Sequence, residues 1–204
     1  MKWAGWKTRF LFIWTGQTVS LFGSNLVSFA LTWWLTKETG SGAVLATSSF
    51  VALVPEILLG PFVGSLIDRW SRRRIMIVAD TLIALATAVL ALLYLQGGVA
   101  IWHVYAILLL RSLGGAFHDP AMVAATSLLV PKEELARVGG LNSVRRGVNR
   151  IVGPPLAALL LAAGPIGGIL AFDVVTAFFA VVPLLFMKIP EPEPQAAAQG
   201  EALM

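Results

Sequence analysis

The sequence predicts an all-α membrane protein with six transmembrane helices. Composition is the first reason. Hydrophobic residues make up 57% of the 204-residue chain and charged residues 13%, against ~25% charged in soluble domains. A mean hydropathy of +0.81 leaves too little polar surface to coat a water-soluble fold of this length. Patterning is the second reason. Six runs reach the ~20 residues a helix needs to cross a hydrocarbon core, at residues 10–35, 43–67, 75–96, 101–127, 138–163 and 166–187. The third reason is that lysine and arginine gather where most of those runs end. None of the runs alternates as barrel strands do, so helices are the spanning form.

The first run follows the basic segment MKWAGWKTRF. It is too long for a signal-peptide core and no small-residue cleavage site follows it, so it reads as a retained helix. Gln17, Ser20, Ser24 and Ser28 recur at spacings of three and four, which makes one polar stripe with Asn25 and Thr32 nearby. Such a stripe either lines a cavity or bonds to neighbouring helices. The second run contains Pro55 and Glu56, then GPFVG with Gly60, Pro61 and Gly64. Proline's missing amide proton loosens the helix beside Glu56. The third run opens after three arginines and holds Asp80, and the sixth holds Asp173. Both acids read as structural carboxylates near a helix end.

The fourth run carries Arg111, His118 and Asp119. His118 reads as a satisfied polar residue or as a proton carrier. The fifth, SVRRGVNRIVGPP, places Arg145, Arg146 and Arg150 in a span. Arg146 and Arg150 are four apart and share a face; Arg145 lies about 100° away, where it can snorkel to the interface. Gly153, Pro154 and Ala157 echo Gly60, Pro61 and Gly64. Small residues four apart admit close helix approach, so Gly60, Gly153 and Pro154 are candidate packing positions. Either the two are independent packing kinks, or helices two and five are equivalents in a 3+3 inverted repeat.

An ionised side chain at mid-bilayer costs ~2.5–3.5 kcal/mol and normally faces a partner or a wet cavity. Glu56, Arg111 and Arg150 are each central in their runs, which predicts a shared polar interior. Glu56 is a candidate for a proton or cationic-substrate site, or for a static pair with an arginine. Gln17 and Asn25 join Glu56, Arg111 and Arg150 as candidate proton-coupling or substrate residues.

Lys2, Lys7, Arg9, Arg69, Arg72, Arg73, Arg74, Lys132, Arg137 and Lys188 fall on one side of the runs and Lys37 alone on the other. Both termini are therefore expected in the cytoplasm. Residues 1–189 form the expected bundle, and 190–204, rich in proline and alanine, a disordered tail or linker. The chain has no cysteine and its two histidines, His103 and His118, stand apart. That excludes disulfides and predicts no metal site. No phosphate-binding glycine loop and no nucleophile with a base partner is visible, so neither an enzyme, nor an ATP-driven pump, nor a cofactor is expected. The net charge of +4 sits at helix ends, which predicts a lipid bilayer as partner and no nucleic acid.

The residues GSLIDRWSRR, positions 64–73, resemble the signature that joins helices two and three in the major facilitator superfamily, Gly-x-Leu-x-Asp-Arg-x-Gly-Arg-Lys/Arg. Gly64, Leu66, Asp68, Arg69, Arg72 and Arg73 match it; Ser71 stands where glycine is usual. The segments SLFGSNLVSFALTWWLTKETGSGAVLA and AFHDPAMVAATSLLVPKEEL are similar to the drug and macrolide efflux branch. A full member has twelve helices, so the resemblance implies the amino-terminal six-helix half, both termini cytoplasmic, in the cell membrane. It implies a conformational latch built from Gly64, Asp68, Arg69, Arg72 and Arg73, with Asp119 meeting Arg72 or Arg73 unless it only caps its helix. Arg111, in LLLRSLGGAF, is similar to an antiporter motif of helix four, which implies proton coupling; a pair with Glu56 and a substrate contact stay open. The implied function is proton-coupled efflux of small hydrophobic or cationic substrates such as macrolides by alternating access. A homodimer or a second half-transporter would complete the pathway. The competing reading is a non-transporting membrane subunit that binds or regulates a full transporter.

Overall fold

A computed structural model of the chain describes residues 5–187 and Ile189; the predicted tail, 190–204, lies outside them. The described residues form six long helices and no strand. They are α1 (Trp6–Thr39), α2 (Gly42–Arg69), α3 (Arg72–Leu95), α4 (Ile101–Leu129), α5 (Leu135–Ala163) and α6 (Ile166–Phe186), with a 3-10 turn at Lys132–Glu134 ahead of α5. α1 outruns its apolar stretch because its polar residues continue the helix. The hydroxyls of Thr32, Thr36 and Thr39 each donate to the carbonyl four residues back. Gly40 then ends it with φ 61° and donates its N–H to the Thr36 carbonyl at 2.9 Å, a left-handed cap open to glycine. The expected loop DRWSRRR is shorter than the sequence suggests. Asp68 and Arg69 complete α2 and Arg72–Arg74 open α3, so only Trp70 and Ser71 lie between.

α1 packs against α6 and α5, α4 against α3 and α2, and α3 against α6. This set maps onto itself when α1, α2 and α3 are exchanged with α4, α5 and α6. α1 and α4 run antiparallel: Gln17 meets His118, whereas Arg111 meets Ser24 and Ser28. α3 and α6 do the same, with Thr87 at Asp173 and Arg73 at Leu185. The exchange therefore reverses helix direction, the geometry of an inverted repeat. Gly60–Pro61 and Gly153–Pro154 obey it too: in both α2 and α5 the glycine lies 18 residues and the proline 19 residues past the first residue of the helix.

The interior is layered. Leu26, Leu31, Leu90, Leu108 and Leu170 form one apolar layer; Ile13, Val63, Met76, Met122 and Leu184 form another. Between them in chain position lie the buried polar residues Gln17, Asp80, Thr87, Arg111, His118 and Asp173. The outside is apolar instead: Phe50, Ile57, Phe62, Leu85, Ile151 and Phe178 are all exposed, as suits a lipid-facing surface. By length and composition three helices, α2, α3 and α6, are apolar enough to cross a membrane. α1, α4 and α5 are interrupted by more polar residues, among them Gln17, Ser24 and Asn25 in α1, Arg111, His118 and Asp119 in α4, and Arg145, Arg146 and Arg150 in α5.

Four glycines, Gly16, Gly23, Gly114 and Gly153, set helix spacing. A Cβ at Gly16 would overlap the Phe179 carbonyl of α6, and one at Gly153 would sit 2.8 Å from the Asn25 amide nitrogen of α1. Gly60, expected to pack in the same way as Gly153, meets nothing within 4 Å, because α2 leaves that face open. Gly16→Leu is therefore expected to destabilise the bundle by ~1–3 kcal/mol or more through overpacking. Gly60→Ala should leave stability at or above wild type, since alanine favours helix. Thermal unfolding in detergent followed by size exclusion checks both, and equal behaviour of the two variants would contradict the packing described.

Candidate functional site

Two carboxylates lie buried at the middle of the bundle. Asp173 of α6 pairs with Arg111 of α4, Nη1 to Oδ2 at 2.7 Å. It also accepts from Ser24 at 2.9 Å and Thr87 at 3.1 Å. Arg111 spends its remaining donors on the Ser24 carbonyl at 2.7 Å, Thr87 at 2.7 Å and Ser28 at 3.4 Å. Asp80 of α3 accepts from the Gln17 amide of α1 at 2.8 Å and lies 3.3 Å from His118 Nε2 of α4. His118 also meets Gln17 Oε1 at 2.8 Å.

The two clusters are counterparts under the repeat exchange. Asp80 lies 8 residues past Arg72 and Asp173 lies 7 past Ile166. Gln17 lies 11 past Trp6 and Arg111 lies 10 past Ile101. Ser24 lies 18 past Trp6 and His118 lies 17 past Ile101. Each carboxylate is thus clamped by the first helix of its own repeat (Gln17 or Arg111) and the first helix of the other (His118 or Ser24).

A cleft of about 560 Å³ opens between α2, α4 and α5. Its charged lining is Glu56, Asp119, Arg145 and Arg146, with Asn142 beside them and Gly60, Met122 and Val123 among its apolar wall. Asn142 accepts from Trp14 Nε1 at 2.8 Å, which ties α5 to α1. Asp119 connects the cleft to the interior, since its Oδ1 lies 3.5 Å from His118 Nδ1. A larger groove of about 700 Å³ runs down the outside of α3 and α4. Below Arg69, Trp70, Ser71 and Arg74 at its mouth its wall is apolar, which suits an acyl chain better than a polar solute.

Several predicted partnerships are redistributed. Arg111 is matched by Asp173, while Glu56 is exposed in the cleft. Arg150 is exposed and is absent from the cleft lining, so the three mid-span charges do not share one interior. Arg145, expected to snorkel, is buried against the cleft, whereas Arg146 is exposed and donates to Ser143 at 3.1 Å. Gln17 and Ser20 are buried in the bundle, so that end of the polar stripe binds helices rather than lining a cavity. Asn25 donates to the Asn149 carbonyl of α5 at 2.6 Å. Asp119 meets neither Arg72 nor Arg73. Arg72 pairs with Asp68 at 3.3 Å, and the Asp68 side chain is 79% exposed. Arg73 donates to the Leu184 and Leu185 carbonyls and so caps the end of α6. Asp80 and Asp173, read from sequence as helix-end carboxylates, prove to be the centre of the buried network.

The chain matches the transmembrane secretion effector family over residues 2–203. It is 39% identical over 190 residues to macrolide efflux protein A of Streptococcus pyogenes, covering 93% of this chain and 47% of that protein. The chain belongs to this family of major facilitator transporters. It is a multi-pass plasma-membrane protein and not an enzyme. It is 30% identical over 154 residues to the multidrug efflux pump Tap of Mycolicibacterium fortuitum, covering 72% of this chain and 37% of the pump. It is 24% identical over 161 residues to the enterobactin exporter EntS of Shigella flexneri, covering 79% and 38%. The chain spans about half the length of the macrolide efflux proteins it matches.

Breaking one side of a buried pair leaves an uncompensated charge and costs ~3–5 kcal/mol, whereas replacing both sides by apolar groups is often close to neutral. Arg111→Met is therefore expected to lower the unfolding temperature strongly and Arg111→Met with Asp173→Leu to recover most of the loss. A double variant as unstable as the two single losses combined would argue against the pair.

Proposed function

We propose that the chain forms one wall of a drug exporter that works by alternating access, with all six helices crossing the membrane and both termini in the cytoplasm. The cleft between α2, α4 and α5 carries this reading. It brings two carboxylates, two arginines and an amide onto a largely apolar wall, the lining expected of a site for amphipathic solutes. The exposed Glu56 would attract the cationic group of a hydrophobic drug, and macrolides fit the class on the strength of the relatives' names. A single wall encloses nothing, so a second six-helix unit, either another segment or a second copy, completes the pathway across the faces of α2 and α5. The proton gradient is the proposed energy source. The Asp68–Arg72 pair, an exposed carboxylate on a buried guanidinium, acts as a latch that re-forms between conformations.

Uptake of a cationic hydrophobic dye into inside-out membrane vesicles energised by a pH gradient tests the reading. Glu56→Gln is expected to lower dye transport roughly tenfold, the equivalent of ~1.4 kcal/mol of lost charge attraction. Unchanged transport would remove Glu56 from the pathway. Asp68→Asn should leave insertion intact and cost little stability, because the carboxylate it removes is solvated and Arg72 keeps its bonds to the Asp68 and Trp70 carbonyls, yet slow transport. Wild-type turnover in that variant would discard the latch. A chain that stays monomeric and inert under all conditions would favour a regulatory subunit instead.

A further inference from the structure

The two buried carboxylates hold equivalent places and have unequal partners. Asp173 is matched by Arg111, whose guanidinium keeps its charge at any accessible pH. At Asp80 the equivalent position holds Gln17, which brings a hydrogen bond and no charge. Among the described residues the cation within reach of Asp80 is His118, and an imidazole is a cation only while it holds a second proton.

The hydrogen bonds decide which ring nitrogen exchanges that proton. Gln17 Nε2 donates to Asp80 Oδ2 at 2.8 Å, which turns its Oε1 toward His118 Nε2, also at 2.8 Å. An amide oxygen only accepts, so Nε2 bears hydrogen in both charge states. Nδ1 is the position left to gain or lose a proton. It is buried with no hydrogen-bond partner and faces Asp119 Oδ1 at 3.5 Å. The Asp119 side chain is 55% exposed, in the cleft. The charged groups around this line are Asp80 of α3 and Asp119 of α4, with Glu56 of α2 and Arg145 and Arg146 of α5 across the cleft. α1 supplies the neutral Gln17, and Asp173 of α6 is already matched.

We propose that His118 is the proton-binding site of this bundle, loaded from the cleft through Asp119 and read out by Asp80. In the loading step the O–H bond of the Asp119 acid breaks, an N–H bond forms at His118 Nδ1, and the Nε2 hydrogen stays in place. The imidazolium then neutralises Asp80. Loss of the proton leaves that buried carboxylate without a counter-charge at the junction of α1, α3 and α4, which destabilises the present arrangement of those helices relative to another. The link to transport rests on the export reading given above; the site itself does not.

With two histidines in the chain, histidine-selective nitrogen-15 NMR of the full chain in lipid nanodiscs gives two sets of signals, and His103→Gln assigns them. The neutral form of His118 is expected to carry its hydrogen on Nε2, with titration at Nδ1. Asp80→Asn should displace the His118 midpoint by about one pH unit or more while His103 stays in place. A neutral form protonated at Nδ1, or the same midpoint with and without Asp80, overturns the site. A second measurement uses the vesicle assay with His118→Gln, which keeps a hydrogen-bonding group but cannot charge. The pH dependence of dye transport should be lost in that variant. Proton-driven transport with an unaltered pH profile overturns the proposed role. If wild type shows no proton-driven transport, the export reading fails and the NMR result alone decides the site.

Discussion

An ionised carboxylate drawn into a helix bundle must meet a cation there, because its solvation in water is lost and the protein interior returns little of it. The 2.7 Å contact between Asp173 and Arg111 meets that demand, and much of the architecture follows from it. The pair joins α4 to α6, and its hydrogen bonds to Thr87, Ser24 and Ser28 add α3 and α1. Four helices are thereby fixed in depth as well as in azimuth, since a one-turn slip of ~5.4 Å would part the charges. The apolar layers above and below then seal the network from water, and Gly23 lets α1 approach α6 closely enough for Ser24 to reach Asp173.

The remaining two helices play another part. α2 and α5 contribute nothing to the Arg111–Asp173 cluster and few residues to the core. Each carries two internal prolines, which remove backbone hydrogen bonds and make bending easier. They are counterparts in the repeat, they flank the cleft on either side of α4, and their other faces are exposed. A four-helix frame with two compliant helices at the mouth of a polar cleft is an arrangement that can change shape at the cleft without disturbing the buried pair that holds it together.

The helices were legible in the sequence because a spanning run is a local property; α4 and α6 begin at the residues where their runs begin. The repeat was legible only at Gly60–Pro61 and Gly153–Pro154, where glycine and proline leave a composition mark. The side-chain partnerships were not. Glu56 and Arg111 lie at similar depth, yet depth gives no azimuth, and α2 turns Glu56 to the cleft while α4 turns Arg111 inward. Asp119 was drawn toward the loop arginines by resemblance, although its neighbour His118 and the arginines of α5 were nearer in space. Asp80 and Asp173 read as edge residues because they lie only 8 and 7 residues past the starts of α3 and α6. Their partners come from α1 and α4, and only a three-dimensional arrangement brings those helices to them.

The unequal treatment of equivalent positions carries the last step. Had the first repeat also placed an arginine at the site of Gln17, both carboxylates would be permanently neutralised and the bundle would have one preferred state at every pH. Glutamine in that place keeps the geometry, since its amide still spans Asp80 and His118 at 2.8 Å each, and transfers the charge balance to a group that can let its proton go. A two-state equilibrium moves only through a differential free energy between its states. A buried carboxylate whose counter-charge comes and goes supplies one at a cost that the rest of the bundle can bear, because the permanent Arg111–Asp173 pair holds the fold whether or not that proton is bound. The two halves of the pseudo-symmetric core thus divide the work: Arg111 with Asp173 holds the structure, and His118 with Asp80 gives it something to respond to.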